Sequence, residues 1–238
     1  MKSSLLNKAG AVLEAVCTVD HPVAIKELVQ ILDMPLPTVS RLCCDLVEIG
    51  LLEKTDYHHL IPGITLMRFG HRAQKLSPLI ATVKGQVDSY SEASGLNAAI
   101  YGFDRGSFFH IYSCHRSNPV QDALRYTGAF LVMLSSAGVT AEKAQEIVLK
   151  KYPDMPVTER VICDREFHVF RQNKILTRVA PNRRWMITMP FTYNMIPCSL
   201  SFYGQGKEES SVEAELFNIS KVLSRIRTAL DRIGKGED

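Results

Sequence analysis

Residues 24–54, AIKELVQILDMPLPTVSRLCCDLVEIGLLEK, decide the fold of the N-terminal part of the chain. Apolar residues recur there at the spacing of one helix face and predict two short helices, Ala24 to Leu32 and Pro37 to Ile49. Asp33-Met34-Pro35 ends the first of these, because proline cannot continue a helix and disfavours helical geometry in the residue before it. Gly50 ends the second, because glycine readily adopts left-handed geometry. The stretch therefore predicts two consecutive helices separated by a sharp turn.

The flanking segments extend this pattern. From Leu5 to Val19, apolar residues alternate in steps of four and three, which predicts a preceding amphipathic helix. After Gly50, residues 51–63 (LLEKTDYHHLIPG) place two short apolar stretches on either side of Thr55-Asp56, as a β-hairpin requires. Three helices and a hairpin predict a winged helix-turn-helix, a DNA-binding domain, over residues 1–62.

Composition and charge set wider limits. The chain has 238 residues, of which 46% are hydrophobic and 22% charged, as is usual for one or two globular domains. No apolar run approaches the roughly 20 residues that a membrane-spanning helix needs, so we expect a cytoplasmic protein without membrane contact.

The net charge is only +3, and residues 1–75 contain eight Lys and Arg against eight Asp and Glu. Charge alone therefore neither favours nor excludes DNA binding.

The remainder of the chain predicts an α+β domain. Residues 63–77 form a predicted linker helix, and residues 78–238 a second domain with its own sheet. Its predicted helices cover about 78–93, 132–138 and 141–151, and its predicted strands are LNAAIYGF (96–103), SFFHIYSC (107–114), ALRYTGAF (123–130), RWMITMPF (184–191) and IPCSLSFY (196–203).

The last predicted helix has the most regular apolar pattern in the chain. Its apolar residues step by four and three from Val212 to Ile233, over three heptads. This pattern fits a coiled-coil seam between subunits. The alternative is a helix packed across the sheet of its own domain, which we consider the better interpretation because the helix directly follows the last strand.

The six cysteines show no CxxC spacing and mostly lie in apolar runs, which favours reduced residues in or near the core. A metal site formed by His110, Cys114 and His115 is the main alternative. Neighbouring side chains on a strand point to opposite faces, however, so we expect no metal and no cofactor.

The segment quoted first, together with HHLIPG (58–63) and ITLMRFG (64–70), resembles the N-terminal domain of the IclR family of bacterial transcription regulators. The similarity continues in residues 93–113, ASGLNAAIYGFDRGSFFHIYS, and in residues 183–204, RRWMITMPFTYNMIPCSLSFYG. The resemblance implies a winged helix-turn-helix, a linker helix and a GAF-like effector-binding domain. It also implies a homodimer or homotetramer bound to double-stranded operator DNA and controlled by a small organic effector.

The chain departs from the family pattern at several positions. Leu36 and Pro37 replace the polar or basic residue and the Ser or Thr that usually open the third helix, which removes a phosphate contact and a helix cap worth about 1 kcal/mol. Ser201 matches one of two serines of the closing strand that can face a ligand, whereas Tyr203 replaces the other. The loop around QNKILTRVAPN (172–182) differs as well. These departures imply a changed effector or none.

A recognition helix reads bases through the outward residues near its N-terminus, which here are Thr38, Ser40, Arg41 and Asp45. Arg41 is the best candidate for a bidentate contact to guanine; its alternative role is that of an ordinary solvated arginine. The candidate phosphate contacts are Lys26 on the second helix and Lys54, His58 and His59 on the wing.

We expect the effector to meet residues on the strands that face a central cavity. The candidates are Ala98, Ile100, Met133, Met189, Ser201 and Tyr203. An apolar cavity with a few hydroxyl groups favours a carboxylate or an aromatic compound. For each candidate, simple core packing is the alternative.

Two other functions compete with an effector-controlled regulator. The C-terminal domain could have lost its ligand and serve only for assembly. It could instead be an enzyme, but the sequence lacks GxSxG, HExxH and a phosphate-binding glycine loop, so we expect no catalytic activity.

Overall fold

The computed structural model describes residues 5–19, 21–56, 58–104, 107–114, 131–132, 134, 139–173, 175–179, 184–205 and 209–235. The chain divides into two compact units, Met1–Ser77 and Pro78–Asp238. The first unit contains three helices and a small sheet, and the second contains a larger sheet covered by helices. The predicted fold class, a winged helix-turn-helix followed by an α+β domain, is confirmed.

The first three helices form where the apolar spacing predicts them. They are α1 (Leu5–Thr18), α2 (Ile25–Leu32) and α3 (Leu36–Glu48). Asp33 ends α2 in the left-handed region, with φ of 47°. Pro35 then stands at the N-cap of α3, so the turn between α2 and α3 is short and sharply bent.

A three-stranded antiparallel sheet completes the first unit. Its strands are β1 (Val23–Ala24), β2 (Leu52–Lys54) and β3 (His59–Pro62), in the order β1-β3-β2. Lys54 pairs with Leu60, and the Thr55 N–H donates to the His59 carbonyl at 3.1 Å, which closes the predicted hairpin. The hairpin is the wing of the domain.

The core of the first unit is a single apolar cluster. It joins α1, α2, α3 and the sheet through Val12, Val16, Leu28, Val39, Leu42, Leu46, Leu52 and Leu60. Each of these side chains is at most 5% exposed. This packing determines which faces of α1, α2 and α3 point outward.

Helix α4 (Ile64–Leu76) follows the wing and buries none of its residues. Leu66, Phe69, Ala73 and Leu76 nevertheless recur at steps of three, four and three, the spacing of a coiled-coil seam. Phe69 is 53% exposed and Leu76 63%. The helix therefore carries an apolar stripe that is half-buried at Leu66 and exposed at Phe69, Ala73 and Leu76.

The second unit has a five-stranded sheet with helices on both faces. The helices are α5 (Pro78–Ser94), α6 (Ala141–Lys151), α7 (Val157–Asn173) and α8 (Glu209–Lys235). The strands are β4 (Asn97–Asp104), β5 (Ser107–Cys114), β6 (Leu176–Val179), β7 (Arg184–Tyr193) and β8 (Ile196–Gln205). The sheet order is β5-β4-β8-β7-β6, and every neighbouring pair is antiparallel.

One face of this sheet packs against α5 and α8. The apolar cluster there includes Val83 and Val87 of α5, Ile219 and Ile226 of α8, and Leu200 of the central strand. Of the two interpretations of the last helix, packing within its own domain is therefore the one observed. The side chains of Val212 and Ile233, the ends of its apolar pattern, lie outside the described part.

Several sequence expectations differ from the structure. The segment 172–182, interpreted as a loop, contains strand β6, and helix α7 was not predicted. Cys17 and Cys44 are exposed rather than near the core. The predicted strand 123–130 lies outside the described residues, and within 132–138 only Val132 and Leu134 are described, both helical.

None of the helices in the described ranges is long and apolar enough to cross a membrane.

Gly63 gives a direct test of the packing between the wing and α3. A Cβ atom there would lie 2.3 Å from the carbonyl oxygen of Gly50, which is backbone and cannot move aside cheaply. We expect Gly63→Ala to lower the free energy of unfolding by about 1–3 kcal/mol in urea denaturation of the full chain. Gly70→Ala, in α4 with open space around it, is the control and should stabilise by about 0.5–1 kcal/mol. Equal stability of Gly63→Ala and the wild type would contradict the close approach.

Candidate DNA-binding surface and effector site

The outward face of α3 is the candidate base-reading surface. Arg41 and Asp45, one helical turn apart, are both exposed, and Thr38 is half-buried beside them. Ser40 is half-buried at the edge of the buried stripe, because it lies about 100° around the helix from Arg41. The structure therefore brings three of the four predicted base-reading residues onto one exposed face.

Charge on this face is nearly balanced. Arg41 forms no ion pair with any residue that the structure describes, so its guanidinium is available to a ligand. Asp45 and Glu48, both exposed, lie one and two turns further along the same side. Attraction to DNA is consequently concentrated near the N-terminal half of α3.

The start of α3 offers little to a phosphate group. Pro35 at the N-cap provides no side-chain hydrogen bond, as the departure at Leu36 and Pro37 implied. Pro37 has no N–H group, and the N–H groups of Thr38 and Val39 already donate to the Pro35 carbonyl at 2.9 and 3.1 Å. Of the first-turn donors that usually hold an anion, only the Leu36 N–H is left over.

Asp56 organises the tip of the wing. Its Oδ1 accepts hydrogen bonds from the backbone N–H groups of His58 and His59, at 2.8 and 2.9 Å. The His59 ring also donates from Nδ1 to the same carboxylate, 2.9 Å from Oδ2. The His58 side chain makes no such contact with the described residues and is exposed at the tip. His58 is thus better placed than His59 to reach a phosphate group.

The same contacts lower the pKa of the Asp56 carboxyl to about 2. The backbone hydrogen bond from His58 is the largest cause, followed by the hydrogen bond from the His59 ring. Each of these donors stabilises the carboxylate over the neutral acid. Sequence reasoning missed this role, although an Asp two residues before an exposed turn residue is a typical signal for it.

The two lysines predicted to contact phosphates are both solvent-exposed. Lys26 lies in the first turn of α2, and Lys54 is the last residue of β2. Together with Arg41, they give the first unit three exposed cationic groups at predicted contact positions.

The predicted effector residues do not share one face of the large sheet, and this expectation was wrong. Ala98, Ile100 and Met189 point toward α5 and α8 and belong to that apolar core. Ser201 pairs with Ala99 and Thr188 on the opposite face, and Tyr203 is on that face as well. Alternation along each strand causes the split. Met133 lies outside the described residues.

The opposite face is polar at its centre. The strand pairings place three rows of side chains there: Tyr101, Ser199 and Pro190; Ala99, Ser201 and Thr188; Asn97, Tyr203 and Met186. We call these nine residues the polar face. Asn97, Thr188 and Ser199 are fully buried, and Ser201 is 2% exposed. Sequence reasoning missed most of them, although serine alternates with apolar residues in CSLSF (198–202).

The hydroxyl groups of the polar face are incompletely paired. Thr188 Oγ1 and Ser201 Oγ are 2.8 Å apart and share one hydrogen bond. Ser199 Oγ, also buried, has no hydrogen-bond partner among the described residues. A buried hydroxyl without a partner costs about 1–3 kcal/mol, so this arrangement is unfavourable unless something else meets it.

Two tyrosines border the small central row of the polar face. Burial raises the pKa of Tyr101, and burial followed by the neighbouring Tyr101 and Cys114 raises the pKa of Tyr203 to about 12. Tyr203 also packs against Leu131, Phe170, Leu176 and Met186, which cover one end of this face. The surroundings of both phenol groups therefore disfavour negative charge.

The structure does not assemble the alternative metal site. Cys114 pairs with Ala98 on the side facing α5, whereas the His110 ring stacks edge-on against Tyr101 on the opposite face. His115 lies outside the described residues. Within the described ranges, no group of three potential ligands could hold a metal ion.

Comparison with known proteins gives the same architecture. A sequence model described as the IclR helix-turn-helix domain matches residues 5–56. No curated protein sequence matches the chain.

Three solved structures cover nearly the whole chain. An IclR family transcriptional regulator from Brucella abortus has 15% identity over 98% of this chain and 92% of its own, with a TM-score of 0.64. An IclR transcriptional regulator from Alicyclobacillus acidocaldarius has 15% identity over 96% and 99%, with a TM-score of 0.65. An IclR homologue from Microbacterium hydrocarbonoxydans, complexed with 4-hydroxybenzoate, has 16% identity over 96% and 99%, with a TM-score of 0.59. At these identities, the likeness establishes the fold.

A winged helix-turn-helix joined to an α+β domain of this form is the architecture of these IclR structures. Residues 5–56 thus match the IclR helix-turn-helix domain, and the whole chain has the fold of IclR structures.

The Asp56 contacts predict an acid-sensitive wing. Because the folded-state pKa is lowered, the interaction stabilises the wing above the usual aspartate pKa of about 4 and is lost as the pH falls toward 2. We expect an NMR titration of the Asp56 carboxyl carbon in the full chain to give a midpoint near 2. His59→Ala should raise this midpoint without restoring the usual value, because the backbone donors remain. A wild-type midpoint at the usual value would exclude the contacts described.

Proposed function

We propose that this regulator binds operator DNA as a symmetric pair, with α3 in the major groove, and that a small molecule on the polar face controls it. The observation that carries the DNA-binding part is the exposed face of α3, on which Arg41 is available for a guanine. A helix presented in this way fits the major groove, where guanine offers two acceptors to an arginine. Thr38 and Asp45 flank Arg41 on the same face, and Ser40 lies at its edge.

We expect phosphate contacts to contribute a smaller share of the DNA-binding affinity than is usual for winged helix-turn-helix domains. Lys26 and Lys54 are the exposed lysines near the predicted interface, and His58 extends the wing. The balanced charge of residues 1–75 and the weak anion site at the start of α3 both point to few phosphate contacts. With two or three such contacts per copy, the slope of log K against log salt for a dimer should be no steeper than about −5.

Removing the Arg41 side chain and removing the Lys26 side chain should change DNA binding in different ways. We expect Arg41→Ala to weaken binding to DNA upstream of the chain's own coding sequence by about tenfold or more and to remove the preference over random DNA. Lys26→Ala should weaken both DNAs alike and flatten the salt slope by about one per contact. Fluorescence anisotropy over a series of salt concentrations measures both quantities.

Arg165→Ala is the matched control for these variants, because it removes an equal charge from an exposed site on α7. It should leave specific binding unchanged. Unaltered sequence preference in Arg41→Ala would rule out the proposed role of Arg41, and no preference of the wild type at any salt concentration would rule out specific reading by the free protein.

The second copy is expected to pair along α4. Its apolar stripe of Leu66, Phe69, Ala73 and Leu76 has the spacing at which two helices interlock, and its last three residues are exposed. Pairing would bury this stripe and hold two recognition helices for the two halves of a palindromic operator. A dimer or tetramer is therefore the proposed active state, located in the cytoplasm with the DNA.

Phe69→Glu tests the α4 pairing. We expect light scattering after gel filtration to show a smaller assembly or a dissociation constant raised by at least tenfold, because the charge would lie in the apolar seam. Gln74→Glu also introduces one carboxylate on α4, but at an exposed position away from the stripe and its edges, and should leave the assembly intact. If Phe69→Glu assembled like the wild type, the contact between copies would have to lie elsewhere.

Effector control rests on the polar face. Its buried hydroxyl groups, one of them without a described partner, are more costly than apolar residues would be if the domain served only for assembly. A related structure holds 4-hydroxybenzoate, which supports a ligand of that size in this fold. Such a ligand changes DNA binding only if it favours one arrangement of the regulator over another. We propose no catalytic role, in line with the family.

A further inference from the structure

The chemistry of the polar face narrows the class of effector, an inference that rests on the proposed function. We propose that the effector is a flat, uncharged molecule whose carbonyl or hydroxyl oxygen accepts a hydrogen bond from Ser199, rather than a carboxylate. The argument depends on the hydrogen-bonding balance of the face, on its shape and on its burial.

The hydrogen-bonding balance favours an acceptor on the ligand. Ser199 Oγ is fully buried and has no partner among the described residues, so its O–H group can be donated. In the Thr188–Ser201 pair, one hydroxyl donates to the other, which leaves the hydrogen of the second hydroxyl to give. Two donors are thus available within neighbouring rows of the sheet.

The shape of the face favours a flat ligand. The middle row consists of Ala99, Ser201 and Thr188, whose side chains are short. Tyr101 and Tyr203 stand in the two outer rows, on neighbouring strands, each about 7 Å along its strand from the middle row. Two aromatic rings that flank a row of short side chains suit an aromatic or planar molecule, which stacks against a ring at little entropic cost.

The electrostatics disfavour a carboxylate. The described side chains of the polar face include no cation, and the four central polar residues are shielded from solvent. An anion loses its hydration on entering such a site and needs a paired charge in return. The raised pKa values of Tyr101 and Tyr203 report the same penalty for negative charge on phenol groups already present.

Benzamide and benzoate, which share size and planarity but differ in charge, test this inference on the full chain. Isothermal titration calorimetry at neutral pH should show benzamide binding at least tenfold more tightly than benzoate. Ser199→Ala should weaken benzamide binding by about fivefold, the usual effect of losing one hydrogen bond. The variant should fold at least as well as the wild type, because it removes a hydroxyl that has no described partner.

Ser220→Ala is the control, since it removes a serine hydroxyl on α8 that donates to the Phe217 carbonyl, away from the polar face. It should leave benzamide binding unchanged. Equal or tighter binding of benzoate would overturn the inference about charge and leave effector control intact. Binding of neither compound at millimolar concentration would overturn the inference as a whole, whereas the DNA-binding part of the proposed function depends only on the Arg41 and Lys26 variants.

Discussion

The alternation of side chains across the five-stranded sheet is the constraint on which the C-terminal domain depends. Each strand gives one set of residues to the helices α5 and α8 and the other set to the opposite face. The first set is apolar and buried, as Ile100 and Leu200 illustrate, and stabilises the domain. The second set is not part of that apolar core, so residues such as Ser199 and Ser201 can be polar. The apolar residues that stabilise the domain and the polar residues of the proposed effector site therefore occupy different faces of the sheet and can vary separately.

The sequence predicted the N-terminal domain well because its signals are local. The apolar spacing of α3, the proline before it and Gly50 after it all act within a few residues. The large sheet was harder, because which residues of two strands share a face depends on a register between distant segments. Ala98 and Met189 were grouped with Ser201 for this reason. The polar alternation within the last strand could have separated them.

The sequence did not predict helix α7, because its apolar residues are not confined to one side of the helix. Phe167 and Phe170 are buried, whereas Val161 and Val169 are more than 40% exposed. An amphipathic pattern is therefore weak in the sequence. Strand β6, with only four residues, is too short to alternate clearly. It forms because Leu176 packs with Phe170 and Met186, a contact between segments that no local pattern reveals.

The weak phosphate-binding site at the start of α3 bears on how an effector could control DNA binding. The first turn of α3 has neither a hydroxyl cap nor a full set of free N–H groups, so we expect a single domain to hold DNA only weakly. In the proposed function, binding would then depend on the geometry of two copies, because contacts that are weak singly become effective when both halves of an operator are engaged together. A regulator that worked as proposed would be more sensitive to an effector, since a small change in the spacing of its recognition helices would alter both contacts at once.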